Sequence, residues 1–556
     1  MSEAEFNQLQ STIDYSNKSV MENIEYMTDL MKELRSLENF IELGGGEKNI
    51  EKQHKKGRLT ARERVDLLLD HNTKFFELGK FAAFEMYTEY GGAPSAGCVC
   101  GIGTVEGREV MIIANDATVK AGAFFPMTAK KILRAQAIAI EAELPTIYLV
   151  DSAGVFLPMQ DEIFPDQDDF GRIFRNNAVM SAMGIPQLTA IMGSCVAGGA
   201  YLPVMTDKTL MVDGAGLYLA GPQLVESAIG QKVSSEDLGG TKVHSEINGT
   251  IDFREKNDEE CIRRIRSLIS KLGEQKSSLF NKSETVKKPV LNRKELYGLH
   301  TFSGKQYDVR DVISRVVDGS EFDEYKKEFG KTIVCGYARI NGVSVGIVAN
   351  QKTIVKNAEG RPQFGGVIYR DSSEKAARFI MDCNQSKIPL IFFHDVNGFM
   401  VGKESEHDGI IKAGAKMVNA VSNSVVPKLV VIIGGSFGAG HYAMCGKAYD
   451  PNFIVAWPNA KYSVMSGEAA AKTLVGLEVA KLQKKGETVD EAKQKEIFDE
   501  IKKKYDDAMD VKYGASRLWI DAIIDPMETR DWLSVMLESV RHKKSLKPFN
   551  VGVFQT

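Results

Sequence analysis

Two stretches of the chain place small residues where a run of strand formers ends. Gly193 to Tyr201 reads GSCVAGGAY and follows LTAIM; Gly435 to Met444 reads GSFGAGHYAM and follows VVII. Gly, Ala and Ser leave backbone N–H groups uncovered, and the first N–H groups of a helix starting there have no partner inside it. Such donors favour negative charge. They could hold a resting phosphate, or an oxyanion that forms only in a transition state. The competing use is close packing of helix on strand. The dipeptides Ala197–Gly198 and Ala439–Gly440 lie 242 apart and are expected to fill equivalent slots, each offering paired amide donors.

Side-chain chemistry around these stretches is sparse. No Ser-His-Asp order and no G-x-S-x-G is evident, and Cys195 has no identifiable base beside it. His441 reads as a packing or pocket-wall residue before a base. Asp151 and Asp395, at strand ends, read as turn-capping carboxylates before acids or bases. The pattern suggests chemistry that needs two stabilised oxyanions and few protein bases.

The elements that must present these stretches come in two copies. From about residue 100 strand-like and helical patterns alternate, which argues for an α/β domain. VSVGIVAN answers EVMIIAN, with Asn350 on Asn115. EKAARFIMDCNQSKIPLIFFHDVNG answers KKILRAQAIAIEAELPTIYLVDSAG: Lys375 falls on Lys131, Arg378 on Arg134, Pro389 on Pro145, Asp395 on Asp151 and Gly398 on Gly154, all 244 apart. This is an internal duplication. The expected division is 1–285, with a helical N-terminal extension, and 286–556, with the charged stretch Lys276 to Leu296 as linker. A helical insertion at about 480–507 has no first-half counterpart. Thr60 and Glu63 have capping-box spacing ahead of a short helix. GGGEKN at Gly44 lacks the G-K-[ST] ending and preceding strand of a phosphate loop.

Composition narrows the function. The chain has 556 residues, more than one core normally spans, and a net charge of −4, which offers no general attraction to nucleic acid or anionic membranes. The seven cysteines form no C-x-x-C and the eight histidines no H-E-x-x-H, so buried free thiols and no metal site are expected. The acidic, polar start shows no secretory pattern. The longest uncharged stretch, Leu429 to Gly446, is broken by glycines and His441 and does not read as a membrane span. The expected compartment is the cytosol, with the mitochondrial matrix after loss of a transit peptide as the alternative.

Longer motifs carry a family likeness. IIANDATVKAGAFFP, VDSAGVFLPMQDEIFPDQDDFGRIF, MGSCVAGGAYLP, LAGPQLVESAIG, SSEDLGG, NGFMVGKESEHDGIIKAGAKMV, GGSFGAGHYAMCGKAYDP and WPNAKYSVMSGEAAA resemble the carboxyltransferase β subunits of biotin-dependent acyl-CoA carboxylases, most of all the 3-methylcrotonyl type. The resemblance implies two tandem crotonase-like (ββα-superhelix) domains and carboxyl transfer from carboxybiotin to the α- or γ-carbon of an acyl-CoA. It implies a hexamer built from dimers, with acyl-CoA on the N-terminal domain of one subunit and biotin on the C-terminal domain of a neighbour. The amides near Ala197 and Gly198 would hold the thioester oxygen as it becomes an enolate, and those near Ala439 and Gly440 the ureido oxygen of biotin. Biotin itself would take the substrate proton, so no protein base is needed. Asp151, Ser152, Gly154, Gly199 and Arg175 are implied substrate-binding residues; Gly398, Phe399, His441 and Ser466 are implied cofactor-binding residues. No A-M-K-M biotinylation site and no ATP-grasp-like region is evident, so a biotin carboxylase and a biotin carrier subunit are implied partners.

The sequence departs from the 3-methylcrotonyl pattern near the implied pockets. His441 and Ala443 stand in GAGHYAMCG where those enzymes usually read GAGNYGMCG, Ser466 stands in MSGEAAA for MGGEQAA, and Arg175 follows GRIF where an aromatic residue is expected. The loop at 351–373 is also longer. These changes keep open a propionyl- or geranyl-type substrate, the carboxyltransferase subunit of a glutaconyl-CoA decarboxylase, and a CoA-binding scaffold without turnover.

Overall fold

The computed structural model describes residues 7–273, 278–299, 306–485 and 489–553. Lys276 and Ser277 of the expected linker, and 486–488 of the expected insertion, lie outside the described residues.

Eight strands of the first half build one sheet: β1 Phe76–Leu78, β2 Cys98–Val105, β3 Arg108–Asn115, β4 Thr146–Ser152, β5 Gln187–Val196, β6 Lys208–Val212, β7 Gly216–Tyr218 and β8 Phe253–Glu255. Their order is β1-β2-β3-β4-β5-β6-β8, with β7 beside the end of β5. The second half continues with β9 Asp323–Tyr325, β10 Ile333–Ile340, β11 Val343–Asn350, β12 Val355–Lys356, β13 Pro362–Gln363, β14 Val367–Ile368, β15 Leu390–Val396, β16 Gly398–Phe399, β17 Lys428–Phe437, β18 Phe453–Ala456, β19 Lys461–Ser463 and β20 Ala522–Ile523. Its main sheet runs β9-β10-β11-β15-β17-β18-β20, with β19 beside the end of β17. Each sheet opens with two antiparallel pairings and is parallel thereafter. The duplication expected from the sequence is therefore present in the strand order itself.

The strand registers refine that alignment. Asn115 faces Cys98 as Asn350 faces Ile333, an offset of 235. Thr146 pairs with Gln187 as Leu390 pairs with Lys428, so the offset is 244 at β4 and β15 and 241 at β5 and β17. The rise to 244 comes from the segment holding the β12–β13 hairpin, whose β14 then pairs with β16.

Parallel strands covered on both faces read as unbroken apolar runs. Accordingly β4 and β15 are buried along their whole length. The helix Pro126–Ala142 crosses between β3 and β4; Pro126 sits at its first turn and Thr128 Oγ accepts the Phe125 N–H. Thr60 and Glu63 form the capping box that their spacing predicts, starting the helix Ala61–Leu68. The stretch expected as an insertion takes in the end of the helix Gly467–Lys484 and most of the helix Glu491–Met509, which pack on each other.

The chain ends cross over. The N-terminal helix Lys18–Glu42 buries Met31, Leu34 and Ile41 in the second half's core, while the C-terminal helix Thr529–Val540 packs between the Pro126 helix and β10. Asp521, fully buried, ties the halves: Arg134 lies 2.7 Å and Lys447 2.8 Å from its carboxylate and hold it well below the usual carboxylate range. No helix among the described residues is long and apolar enough to cross a membrane.

Candidate active site

Both small-residue stretches leave the fifth strand of their sheet and turn into a short helix. In the first half β5 ends at Val196 and the helix Gly198–Val204 follows; in the second β17 ends at Phe437 and the helix Gly438–Ala443 follows. The 241 register pairs Ala197 with Gly438, Gly198 with Ala439 and Gly199 with Gly440. The 242 alignment expected from the two Ala-Gly dipeptides is thus one residue out. Backbone geometry agrees: Ala197 and Gly438 are the residues with positive φ, +54° and +55°.

This correction changes which amides are free. The Ala197 N–H donates to the Tyr218 carbonyl at 3.1 Å, because the β5–β7 ladder continues one residue past the strand. Ala197 therefore offers no donor, against expectation. Among the described residues, no turn, loop or side-chain bond takes the N–H of Gly198, Gly199, Ala439 or Gly440, and all four lie in the first turn of their helices, where an N–H has no partner inside the helix. The available pairs are Gly198 with Gly199, and Ala439 with Gly440. Each pair comprises one residue open to solvent and one buried against the neighbouring strand end.

That neighbour is the turn after β4 or β15. Ser152 Oγ, fully buried, accepts the Gly154 N–H at 3.1 Å, and Gly154 has φ +87°. A Cβ on Gly199 would lie 3.4 Å from the Ser152 carbonyl; one on Gly440 would lie 2.6 Å from Val396 Cγ2 and 3.1 Å from Gly398 Cα. Gly398 itself has φ +126°, and Phe399 beside it packs on Gly414. A Cβ on Gly198 would meet the Phe170 ring at 2.2 Å, so this aromatic forms a wall of the first stretch.

The strand-end aspartates face inward. A Cβ on Gly193 would fall 1.9 Å from Asp151 Oδ1, and one on Gly434 2.6 Å from the Asp395 carboxyl carbon, so glycine is required where each carboxylate lies under the next strand. Asp151 pairs at 3.4 Å with the buried Arg64, which also binds Asp258 at 2.8 Å. Asp395 pairs with Lys352 at 2.7 Å and accepts from Tyr307 Oη at 3.0 Å and the Gly435 N–H at 2.9 Å. These carboxylates are internal anchors. Cys195 is buried too, and burial pushes its thiol far up, leaving no nucleophile there.

A carboxyl transferase domain model matches residues 52–551. The chain belongs to the carboxyl transferase family. It is 44% identical over 528 residues to the biotin-dependent 3-methylcrotonyl-coenzyme A carboxylase β1 subunit of Mycobacterium tuberculosis, covering 95% of this chain and 96% of that protein. It is 42% identical over 553 residues to the mitochondrial methylcrotonoyl-CoA carboxylase β chain of Dictyostelium discoideum, covering 99% and 91%. The crystal structure of the P. aeruginosa geranyl-CoA carboxylase β subunit superposes with a TM-score of 0.84 at 35% identity, covering 99% of each chain. The crotonase-like fold and the enzyme class expected from the sequence both hold: this is a carboxyltransferase subunit of the acyl-CoA carboxylase class.

Within this carboxyltransferase the other expected site residues are scattered in role. Arg175 is exposed on the helix Phe170–Ala182, the helix that supplies Phe170. Ser466 caps the helix Gly467–Lys484, its Oγ accepting the Ala469 N–H at 3.3 Å. His441 turns its ring inward, Nδ1 lying 2.8 Å from the buried Ser436 Oγ. Sequence reasoning missed Gly199 as a donor, the Phe170 wall, and the Arg64 and Lys352 counter-charges. The Cβ-free positions Gly193 and Gly434, each opposite an Asp-x-x-Gly strand end, were the available signal for the counter-charged aspartates.

Proposed function

We propose that this chain transfers a carboxyl group between carboxybiotin and a short or branched acyl-CoA, with 3-methylcrotonyl-CoA as first choice. The observation that carries the reading is the two pairs of unpartnered amides at equivalent points of the duplicated halves, Gly198 with Gly199 and Ala439 with Gly440. Donors without a partner, fixed by the fold, suit charge that develops during reaction, since they need no reorganisation when it appears. Gly198 and Gly199 would hold the thioester oxygen as the acyl group becomes an enolate. Ala439 and Gly440 would hold the ureido oxygen of biotin. The chemistry brought by carboxybiotin is the transferable carboxyl group and a nitrogen able to take the substrate's proton. No side chain beside the four amides is then required as a base, consistent with the inward-facing Asp151, Asp395 and His441.

The 3-methylcrotonyl choice rests on the relatives named for that substrate. Residues 1–285 would form the acyl-CoA side and 286–556 the biotin side, each meeting its counterpart on a neighbouring subunit of a hexamer. Exposed apolar side chains in both halves support such an assembly: Leu157, Phe164 and Leu224 in the first, Val401, Ile411 and Val464 in the second. Biotin would arrive on a partner carrier subunit, after being carboxylated by a biotin carboxylase.

The test is direct. The purified chain is incubated with free biotin and a panel of malonyl- and glutaconyl-type carboxylated acyl-CoAs, and loss of the carboxyl group is followed. Turnover greatest with the 3-methylglutaconyl thioester is expected. CoA binding without turnover of any panel member sinks the enzymatic reading of these amides.

A further inference from the structure

The second glycine helix is fastened from beneath by three polar side chains from three different elements. His394 on β15 and Ser436 on β17 have no exposed surface, and His441 lies on the helix that carries Ala439 and Gly440. His394 Nδ1 is 3.0 Å from Ser436 Oγ, and Ser436 Oγ is 2.8 Å from His441 Nδ1. His394 Nε2 meets the carbonyl of Met444, the residue that ends the same helix.

Counting protons settles the direction of every bond. A carbonyl can only accept, so His394 Nε2 carries the hydrogen. Burial keeps both rings neutral, lowering His394 to about 3 and His441 to about 4. His394 Nδ1 is then bare and accepts the Ser436 O–H. Ser436 has one proton, so its Oγ must accept from His441 Nδ1–H. His441 is left as the Nδ1–H tautomer.

The line fastens the helix at two points: His441 in its second half to β17, and the Met444 carbonyl at its end to β15. A six-residue helix has little stability of its own. The ring also has a made seat. Gly446 has an ordinary φ of −61°, yet a Cβ there would lie 2.3 Å from His441 Nε2. The first half has nothing of the kind. By the same registers its counterparts are Val150, Cys195 and Ala200.

We infer that His394, Ser436 and His441 form a hydrogen-bonded brace that positions the Ala439 and Gly440 amides, with His441 a positioning residue acting as a donor. The inference rests on the proposed carboxyl transfer. Asn carries its Nδ2 donor at the same side-chain position as Nδ1 of His, whereas Asp has only acceptors there. His441→Asn is therefore expected to keep the brace, and His441→Asp and Ser436→Ala to break it.

The experiment measures steady-state decarboxylation of the carboxylated acyl-CoA in the presence of free biotin, for the full chain and these three variants, with thermal midpoints alongside. His441→Asp and Ser436→Ala should lose about ten- to a hundredfold in kcat, the range seen when an orienting partner is removed. The KM for the acyl-CoA, bound by the other half, should stay within about twofold. His441→Asn should retain kcat within about threefold. If the wild type is inactive throughout the panel, the proposed function itself falls and takes the brace with it. If the wild type is active, full activity in His441→Asp and Ser436→Ala overturns the brace alone, as does a loss in His441→Asn as deep as in His441→Asp.

Discussion

The Gly198 helix and the Gly438 helix leave their sheets at the same strand position, yet each is held by different chemistry. The first packs its Gly199 at ordinary contact distance from Ser152 and leans Gly198 on the Phe170 ring. The second presses Gly440 to within 2.6 Å of Val396 for any added Cβ, and ties itself down through Ser436 and His441. A duplicated backbone has thus kept its two pairs of amide donors while the side chains supporting them diverged. Strand order and donor geometry are set by the backbone ladder, which both halves share. Support is set by whatever fills the space beneath, which each half was free to change.

A methyl group on the buried member of each donor pair should affect the two helices unequally. Gly440→Ala should push the second helix off Val396 and Gly398 and cost about 10²- to 10³-fold in kcat, as expected for loss of an oxyanion donor. Gly199→Ala should cost roughly tenfold or less, because its nearest neighbour stands at 3.4 Å. Steady-state kinetics on the purified variants checks both. Equal losses would mean that the two helices are supported alike.

A second contrast lies in the buried lysines Lys131 and Lys375. Lys131 donates to Ser95 Oγ at 2.8 Å and to the Ser95 carbonyl at 3.0 Å. Lys375, just as buried, has no hydrogen-bond partner for its Nζ, and burial lowers the pKa of both. Lys131→Met should therefore destabilise by about 2–3 kcal/mol, since it strands buried acceptors. Lys375→Met removes a desolvated, unpaired ammonium and should be neutral or stabilising by about 1 kcal/mol. Denaturant midpoints would distinguish the two.

The duplication was legible because equivalent positions kept their residue types: the buried Lys131 and Lys375, the buried Asp151 and Asp395, and the positive-φ Gly154 and Gly398. Those pairs run from the helix before β4 and β15 to the turn after them, where the offset is a constant 244. Past the next loop the offset drops to 241, and the two Ala-Gly dipeptides, lying 242 apart, disguised that slip. Strand pairing alone resolves it. The loss of Ala197 as a donor was equally hidden, because Tyr218, which takes its N–H, comes from β7 beyond the helix. The brace was hidden for the same reason: β15, β17 and a helix supply one residue each. Short-range pattern carries the fold and the neighbourhood of the donors. Which amides are spent is decided by contacts distant in sequence.

Acidity should separate the halves as well. His394 and His441 take up protons in the folded state only near pH 3 and 4, against about 6.5 in an unfolded chain. Below pH 6.5 the unfolded chain binds protons that these folded rings refuse, so stability falls as the pH falls. At pH 5.5 each ring accounts for a loss of about 1.4 kcal/mol relative to neutral pH. Val150 and Ala200, their first-half counterparts, contribute nothing. Thermal midpoints between pH 7.5 and 5.5 should drop less for His441→Asn than for the wild type, by the share of one histidine. Parallel curves would show that His441 takes up its proton as readily in the folded protein as in the unfolded chain, contrary to the brace.

The smallest effect concerns the residue that opens each helix. Ala197 holds φ +54° and ψ −124°, a conformation in which its Cβ is crowded and which glycine adopts freely. Gly438 stands in the same place with φ +55° and pays no such penalty. A non-glycine residue in such a region costs of order 1–3 kcal/mol, partly offset because alanine has less backbone freedom to lose on folding. Ala197→Gly should thus stabilise by about 1 kcal/mol, and Gly438→Ala should destabilise by a similar amount, both read as shifts of the denaturant midpoint. The N–H of residue 197 is already committed to Tyr218, so Ala197→Gly should also leave the acyl-CoA KM and kcat within about twofold of the wild type. A larger fall in kcat would show that the restrained backbone of Ala197 is needed to hold the Gly198 and Gly199 amides in place.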